Sequence, residues 1–255
     1  YLEFQGVNAS ARVELNGTLA GIHNGGYSTF RWDVTGLLSD SNVLTVHVDN
    51  GVNDRVYPQK ADFTFYGGIY RDVNLIIVNK DHFDLDYCGG SGLKVTPTVD
   101  GRDGRVRVET FHSAENARVK VKLLDADGKT AAEGEGADIT LTIPGVRLWD
   151  GGDDPYLYNC EVVLMVDGKA VDQASTRFGV RTFSVDSKKG FFLNGRSYPL
   201  HGVSRHQDWK GLGNALTREF HEADMALIRE MGANTIRLAH YQHDQYFYDL
   251  CDQYG

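Results

Sequence analysis

The sequence predicts a multi-domain, mainly β protein in which two antiparallel β-domains precede the first βα units of a (β/α)8 barrel. Three observations carry that prediction. From residue 1 to about 80, and again from about 93 to 180, short alternating runs are broken by turn residues with no helical period between them. After Phe178 the pattern changes to apolar runs that turn polar at their C-terminal ends, with an amphipathic helical stretch between them. Those ends, Gly202-Val203-Ser204-Arg205-His206-Gln207-Asp208 and Asn234-Thr235-Ile236-Arg237-Leu238-Ala239-His240-Tyr241, deliver Arg, His and Asp to one rim, as parallel barrel strands do.

Taking the chain in order, Leu2-Glu3-Phe4 reads as the middle of a strand. Arg12–Leu15 meets Asn16-Gly17, a two-residue hairpin signal, and resumes at Thr18-Leu19. Asn42–Val48 alternates until Asp49-Asn50-Gly51 stops it, and one further strand is expected from Ile69 through to Val78. Strands this closely spaced indicate an antiparallel sandwich or jelly roll. Asp54 and Tyr57-Pro58 read as loop-shaping residues. From Asn79 to Gly92 the glycines, Cys88-Gly89-Gly90-Ser91-Gly92 above all, indicate a linker.

The second β-domain is expected to use strands at Leu93–Val99, Arg105–Thr110, Arg118–Leu124, Ile139–Ile143, Cys160–Val166 and Ala174–Val180, with turns at Asp127-Gly128 and Asp167-Gly168. About seven short strands over roughly ninety residues is the rhythm of an immunoglobulin-like sandwich. Beyond it, Asn194-Gly195 turns a hairpin and Tyr198–Val203 is a compact apolar strand. Thr217 is the N-cap of a helix whose apolar residues Phe220, Ala223, Leu227, Ile228 and Met231 follow a 3.6 period, and Gly232 stops it. Ala233–Ala239 forms the next strand. Asp244 caps a second helix with Phe247, Leu250, Cys251 and Tyr254 on one face. A complete (β/α)8 barrel takes about 250 residues, so two βα units read as the beginning of one and the sequence reads as a fragment.

Composition narrows the function. A formal charge of −9 gives no basic field to hold a polyanion, so nucleic acid is not an expected partner. No apolar run is long enough to span a bilayer. Tyr1 is not an initiator Met, so a signal preceding it is conceivable and the compartment stays open between cytoplasmic and periplasmic or secreted. Three cysteines, Cys88, Cys160 and Cys251, lie far apart without a CxxC, against a disulfide framework or structural zinc.

Five ordered motifs resemble glycoside hydrolase family 2, which includes β-galactosidases, β-glucuronidases and β-mannosidases. They are Phe178-Gly179-Val180-Arg181, Gly190-Phe191-Phe192-Leu193-Asn194-Gly195, Gly202–His206, Arg237–Tyr241 and Leu250-Cys251-Asp252-Gln253-Tyr254-Gly255. Gly6-Val7-Asn8, Gly67-Gly68-Ile69-Tyr70-Arg71-Asp72-Val73 and Leu148-Trp149 with Pro155-Tyr156-Leu157-Tyr158 agree. The resemblance covers essentially the whole chain. It implies a truncated sugar-binding jelly roll over 1–80, an immunoglobulin-like sandwich over 81–182, and the start of a catalytic TIM barrel over 183–255.

The resemblance further implies a retaining exo-β-glycosidase whose acid/base and nucleophile are glutamates on later barrel strands. Glu219, Glu222 and Glu230 match neither, so no catalytic residue is expected here and the fragment alone should be inert. Substrate contacts are implied for His206 and His240, with Arg237 bracing the nucleophilic carboxylate, Asp208 binding the glycone, and Asp62 reaching in from a jelly-roll loop. Asp62 is also the one candidate contact for the Mg2+ or Na+ that family members often use; no other cofactor is evident. The expected partner is a β-linked oligosaccharide or glycoside, and a homo-oligomer is compatible.

A terminal β-D-galactoside is favoured, because Arg205-His206-Gln207 and Asp62 are galactosidase-like. A glucuronide would need a cationic group for its carboxylate, and none stands out. β-Glucuronidase, β-mannosidase and a non-catalytic carbohydrate-binding sandwich protein are the alternatives. His240-x-x-His243 is not read as a metal pair, since no Glu and no third ligand accompany it. Tyr241, Trp209 and His243 line the aglycone side or belong to the core.

Overall fold

A computed structural model describes residues 1–56 and 60–255; Tyr57 and Pro58, read above as loop-shaping, lie outside the described residues. The chain forms two units. The first comprises Tyr1–Ile77, Val203–Glu230 and Ile236–Tyr248, and the second Val78–Gly202, Met231–Thr235 and Asp249–Gly255.

The N-terminal part of the first unit is built from β1 (Leu2–Phe4), β2 (Val7–Asn8), β3 (Ser10–Leu15), β4 (Thr18–Asn24), β5 (Phe30–Trp32), β6 (Leu44–Asp49), β7 (Gly68–Ile69) and β8 (Val73–Leu75). All pairings are antiparallel, in the orders β5-β1-β8, β4-β3-β6 and β2-β7. The β3–β4 hairpin turns at Asn16 (φ 54°) and Gly17 (φ 76°), the left-handed pair that a two-residue type I′ turn requires. The strand expected from Ile69 to Val78 is instead two. Its first half pairs with β2 and its second with β1, because Tyr70 between them turns inward, becomes buried, and donates its hydroxyl to the Gly26 carbonyl at 2.6 Å. Phe4, Val7, Ala11, Val13, Leu15, Phe30 and Val34 form the core. Each such burial contributes roughly 1.5–3 kcal/mol for the larger side chains.

The second unit holds β9 (Leu93–Asp100), β10 (Asp103–Thr110), β11 (Arg118–Leu124), β12 (Thr130–Glu135), β13 (Asp138–Ile143), β14 (Tyr158–Val166), β15 (Lys169–Phe178), β16 (Phe183–Asp186), β17 (Gly190–Leu193) and β18 (Arg196–Ser197). Sheets of order β13-β10-β9 and β12-β11-β14-β15 share one core. Val106 and Val108 meet Val119, Val121, Leu123, Cys160, Val162 and Leu164 there. β12 was not legible in the sequence. Thr-Ala-Ala-Glu-Gly-Glu lacks a β-branched alternation, and the strand exists as an edge held by pairing with β11. The expected linker contributes to the core as well. Phe83 is buried, its amide held by the Asp172 carboxylate at 2.8 Å, and Tyr87 stacks on Phe111 at 3.7 Å.

The chain ends in β19 (Gly202–Arg205), α1 (Arg218–Glu230), β20 (Thr235–Leu238) and α2 (Gln245–Tyr254), with β19 and β20 side by side. The strand expected from Tyr198 begins only at Gly202. Pro199 has no N–H for a ladder, and the Asn234 side chain bonds the Pro199 carbonyl (2.9 Å) and His201 amide (2.8 Å) in its place. α1 also buries a different face from the expected one. His221, Met225 and Ile228 are buried, while Leu227 and Met231 stand 57% and 71% exposed. Arg205 bonds Asp224 and His221 on the buried side of the helix. α2 is capped as expected, the Asp244 carboxylate accepting from the Tyr246 amide at 2.9 Å; of its expected apolar face Phe247 and Leu250 are buried, Cys251 is half-buried and Tyr254 is exposed.

Candidate active site

At their C-terminal ends β19 and β20 are locked by a hydrogen bond from the Ala239 amide to the Arg205 carbonyl, 2.9 Å. The residue after each of these two is a histidine. The rings of His206 and His240 therefore meet edge to face, centroids 5.2 Å apart at 80°. His240 is exposed and His206 half-buried. Phe63, on the loop after residue 60, packs against both, at 5.0 Å from His206 and 5.8 Å from His240, and lies 5.5 Å from Tyr241. Tyr27 stacks on Tyr241 at 4.2 Å and 13°. Asp62 is exposed and directly precedes Phe63 in the chain.

Below the imidazoles lies a buried charge. The Arg205 side chain is 5% exposed, pairs with Asp224 through Nη2 (2.7 Å) and Nε (2.8 Å), and covers the Phe247 ring at 3.9 Å. Further donors of the guanidinium reach the Nδ1 atoms of His221 and His243, both at 3.1 Å. Burial first, and then the Arg205 charge, lowers the pKa of His221 to about 4 and of His243 to about 3. Both imidazoles are therefore neutral near pH 7, with Nδ1 accepting and the proton on Nε2. The His243 Nε2 then donates to the Ala239 carbonyl at 3.4 Å.

A second arginine anchors the same rim from the β7–β8 segment. Arg71 donates to the carbonyls of Gln5 (3.2 Å), Tyr27 (2.9 Å) and Gln242 (2.7 Å) and to Gln207 Oε1 (3.1 Å). Gln207 is 1% exposed, and its Oε1 also accepts the Asp244 amide at 2.6 Å. The Gln207 amide donates to the Tyr241 hydroxyl at 3.2 Å. Burial pushes that hydroxyl up to about 12 against the pull of this bond, with the charge of Asp208 adding to the rise.

Of the residues singled out from sequence, His206 and His240 come together, with Phe63, the residue after Asp62, packed against both. Arg237 and Asp208 stand exposed nearby on β20 and after β19. His243 is buried and turned to Arg205 while His240 is exposed, which is not the arrangement of a metal pair. Trp209 packs on Phe220 at 5.0 Å. Among the described residues no group of three or more His, Cys, Asp or Glu could hold a metal.

Sequence reasoning missed Phe63, Asp224 and His221, and met Arg71 and Gln207 only inside motifs, with no contact assigned to either. The one local signal was adjacency, with Phe63 beside Asp62, and Gln207 beside His206. Chemically, the rim offers two imidazoles beside an aromatic wall of Phe63, Tyr241 and Tyr27, with Asp62 and Asp208 exposed at adjoining positions of the chain. That combination suits a polyhydroxylated ligand, whose hydroxyls need donors and acceptors and whose C–H faces need apolar surface.

Three family models match the chain in succession. They are the sugar binding domain of glycosyl hydrolases family 2 at residues 1–79, a central glycosyl hydrolases family 2 model at 91–181, and the family's TIM barrel domain at 184–255. A β-glucuronidase of Bacteroides fragilis is 39% identical over all of this chain, which spans 39% of that relative's length. A β-galactosidase of Bacteroides ovatus is 34% identical, again over all of the chain and 31% of the relative. The crystal structure of an FMN-binding β-glucuronidase from Facaelibacterium prausnitzii superposes with a TM-score of 0.96 at 43% identity, covering 100% of this chain and 41% of that one.

Proposed function

The chain belongs to glycosyl hydrolase family 2, and from that membership we propose that it forms the substrate-gripping part of a retaining exo-β-glycosidase. The observation that carries the reading is the His206–His240 pair, two imidazoles 5.2 Å apart at adjacent barrel-strand ends, with Phe63, the residue after Asp62, packed against both. Imidazole N–H groups there bond the hydroxyls of the terminal sugar. Bonds of this kind that strengthen as the ring flattens toward an oxocarbenium ion favour the transition state over the ground state. Asp62 and Asp208 accept from other hydroxyls, and Arg237 braces a carboxylate.

Double displacement with retention needs two carboxyl groups about 5 to 5.5 Å apart. Asp224 is taken by Arg205 and Asp244 by the start of α2. We therefore assign acid/base and nucleophile to glutamates on later barrel strands of the full-length protein, with this stretch inert by itself.

For the glycone, a β-glucuronide is the first reading, supported by the names of the B. fragilis and F. prausnitzii relatives. A β-galactoside is the second, favoured by Arg205-His206-Gln207 with Asp62 and by the B. ovatus relative. The test is hydrolysis of aryl β-glucuronide, β-galactoside and β-mannoside by the full-length protein. Inactivity on all three sinks the enzymatic reading, and the preferred glycone decides between the two finer ones.

A further inference from the structure

We infer that Arg205 and His243 together are a positioning device for the two sugar-binding histidines, an inference that rests on the glycosidase reading for its kinetic consequence alone. The geometry is a closed circuit of three hydrogen bonds. The Arg205 carbonyl accepts from the Ala239 amide (2.9 Å), and the Ala239 carbonyl accepts from His243 Nε2 (3.4 Å). His243 Nδ1 accepts from Arg205 Nη1 (3.1 Å), which returns to the starting residue. Both polar groups of Ala239 are thereby engaged by one arginine and the histidine it orients. The residues following the two anchored positions are His206 and His240.

The direction of each bond is forced. Arg205 can only donate, so His243 Nδ1 must be the lone-pair nitrogen and Nε2 the N–H. With the proton on Nε2, the imidazole bonds the Ala239 carbonyl; in the opposite tautomer neither bond could form. Arg205 is thus a tautomer selector as well as a buried cation, in the way an orienting group fixes an imidazole in a catalytic site. It is itself held in place: Asp224 bonds Nε and Nη2, His221 takes a further donor, and Phe247 closes the face of the guanidinium. A leucine at position 243 fills similar space and breaks two of the three bonds. The rim then keeps both sugar-binding histidines but loses their fixed spacing.

Two measurements on the full-length protein test this. In a double-mutant cycle, His243→Leu is expected to lower kcat by on the order of 10- to 100-fold, the cost of a displacement near 1 Å at a catalytic site, with KM changing less. In a His240→Phe background the same change is expected to cost less than it does alone, because one of the two groups it positions is gone. His243→Gln, which retains a donor and an acceptor, recovers part of the loss. Equal losses in both backgrounds mark a merely structural role and overturn the proposal. The second measurement needs no activity: a crystal structure of His243→Leu is expected to show the His206–His240 separation displaced from 5.2 Å. Unmoved rings overturn the proposal even where no glycoside is hydrolysed, whereas inactive wild type with moved rings overturns only the glycosidase reading.

Discussion

Replacing Asp224 with Ala removes the carboxylate that pairs with the buried Arg205, and the structure gives the size of the effect. The pair is 2.7 Å apart, with side chains 5% and 19% exposed. At that distance and an effective dielectric near 20, the Coulomb attraction is about 6 kcal/mol, part of which desolvation takes back. Deleting one partner leaves the other buried and uncompensated, which costs about 3–5 kcal/mol. Neither neighbouring imidazole can compensate, since His221 and His243 are neutral and their Nδ1 lone pairs are already used. The assay is urea unfolding of the full-length protein at pH 7, followed by tryptophan fluorescence. Trp209 packs on Phe220 of α1 and reports on this unit. Asp224→Ala is expected to lower the unfolding free energy by about 3–5 kcal/mol, and Asp224→Asn by less, because an amide keeps one acceptor. A loss under about 1 kcal/mol, the range of an exposed ion pair, would refute the description of this charge as buried and dependent on Asp224.

Acid should weaken the same cluster. His221 and His243 ionise in the folded chain only near pH 4 and 3, against an ordinary imidazole value of 6.5, so the unfolded chain takes up more protons between those values. Stability is then fully present above about pH 6.5 and falls as the pH is lowered toward 4; a urea midpoint that stays flat over that range in wild type would contradict it. Gly202→Ala is expected to cost about 1–3 kcal/mol and to reduce activity, since the added Cβ would sit 2.4 Å from Thr235 Cγ2 and 2.9 Å from its carbonyl oxygen. A melting temperature equal to wild type would show that the β19–β20 junction tolerates it. Gln207→Leu strips an acceptor from Arg71 and from the Asp244 amide. It should destabilise by about 1–3 kcal/mol for each group left unpaired, checked by the same unfolding assay.

Much of this architecture was legible because it is local. The Asn16-Gly17 and Asn194-Gly195 hairpins, the alternation of β10, β11 and β14, and the Asp244 cap each depend on a few consecutive residues and on turn or cap chemistry that those residues carry with them. Where local signals were weak or misleading, the prediction departed from the fold. β12 has no strand composition and is recruited by β11, Tyr198–His201 is interrupted by Pro199, and Tyr70 divides what looked like one strand between two sheets.

For the site, the sequence by itself determined which side chains stand at the two strand ends, because strand–helix–strand order fixes that His206 and His240 emerge at one rim. Only the tertiary structure decided what holds them there. Phe63, Arg71, Asp224 and His243 come from a loop, a strand junction, a helix and a turn, and no spacing rule links positions so far apart in sequence. Their association follows from burial. Once the Arg205 guanidinium is out of water, each of its donors must find an acceptor; Asp224, His221 and His243 supply them, and His243 can do so only with its proton on Nε2.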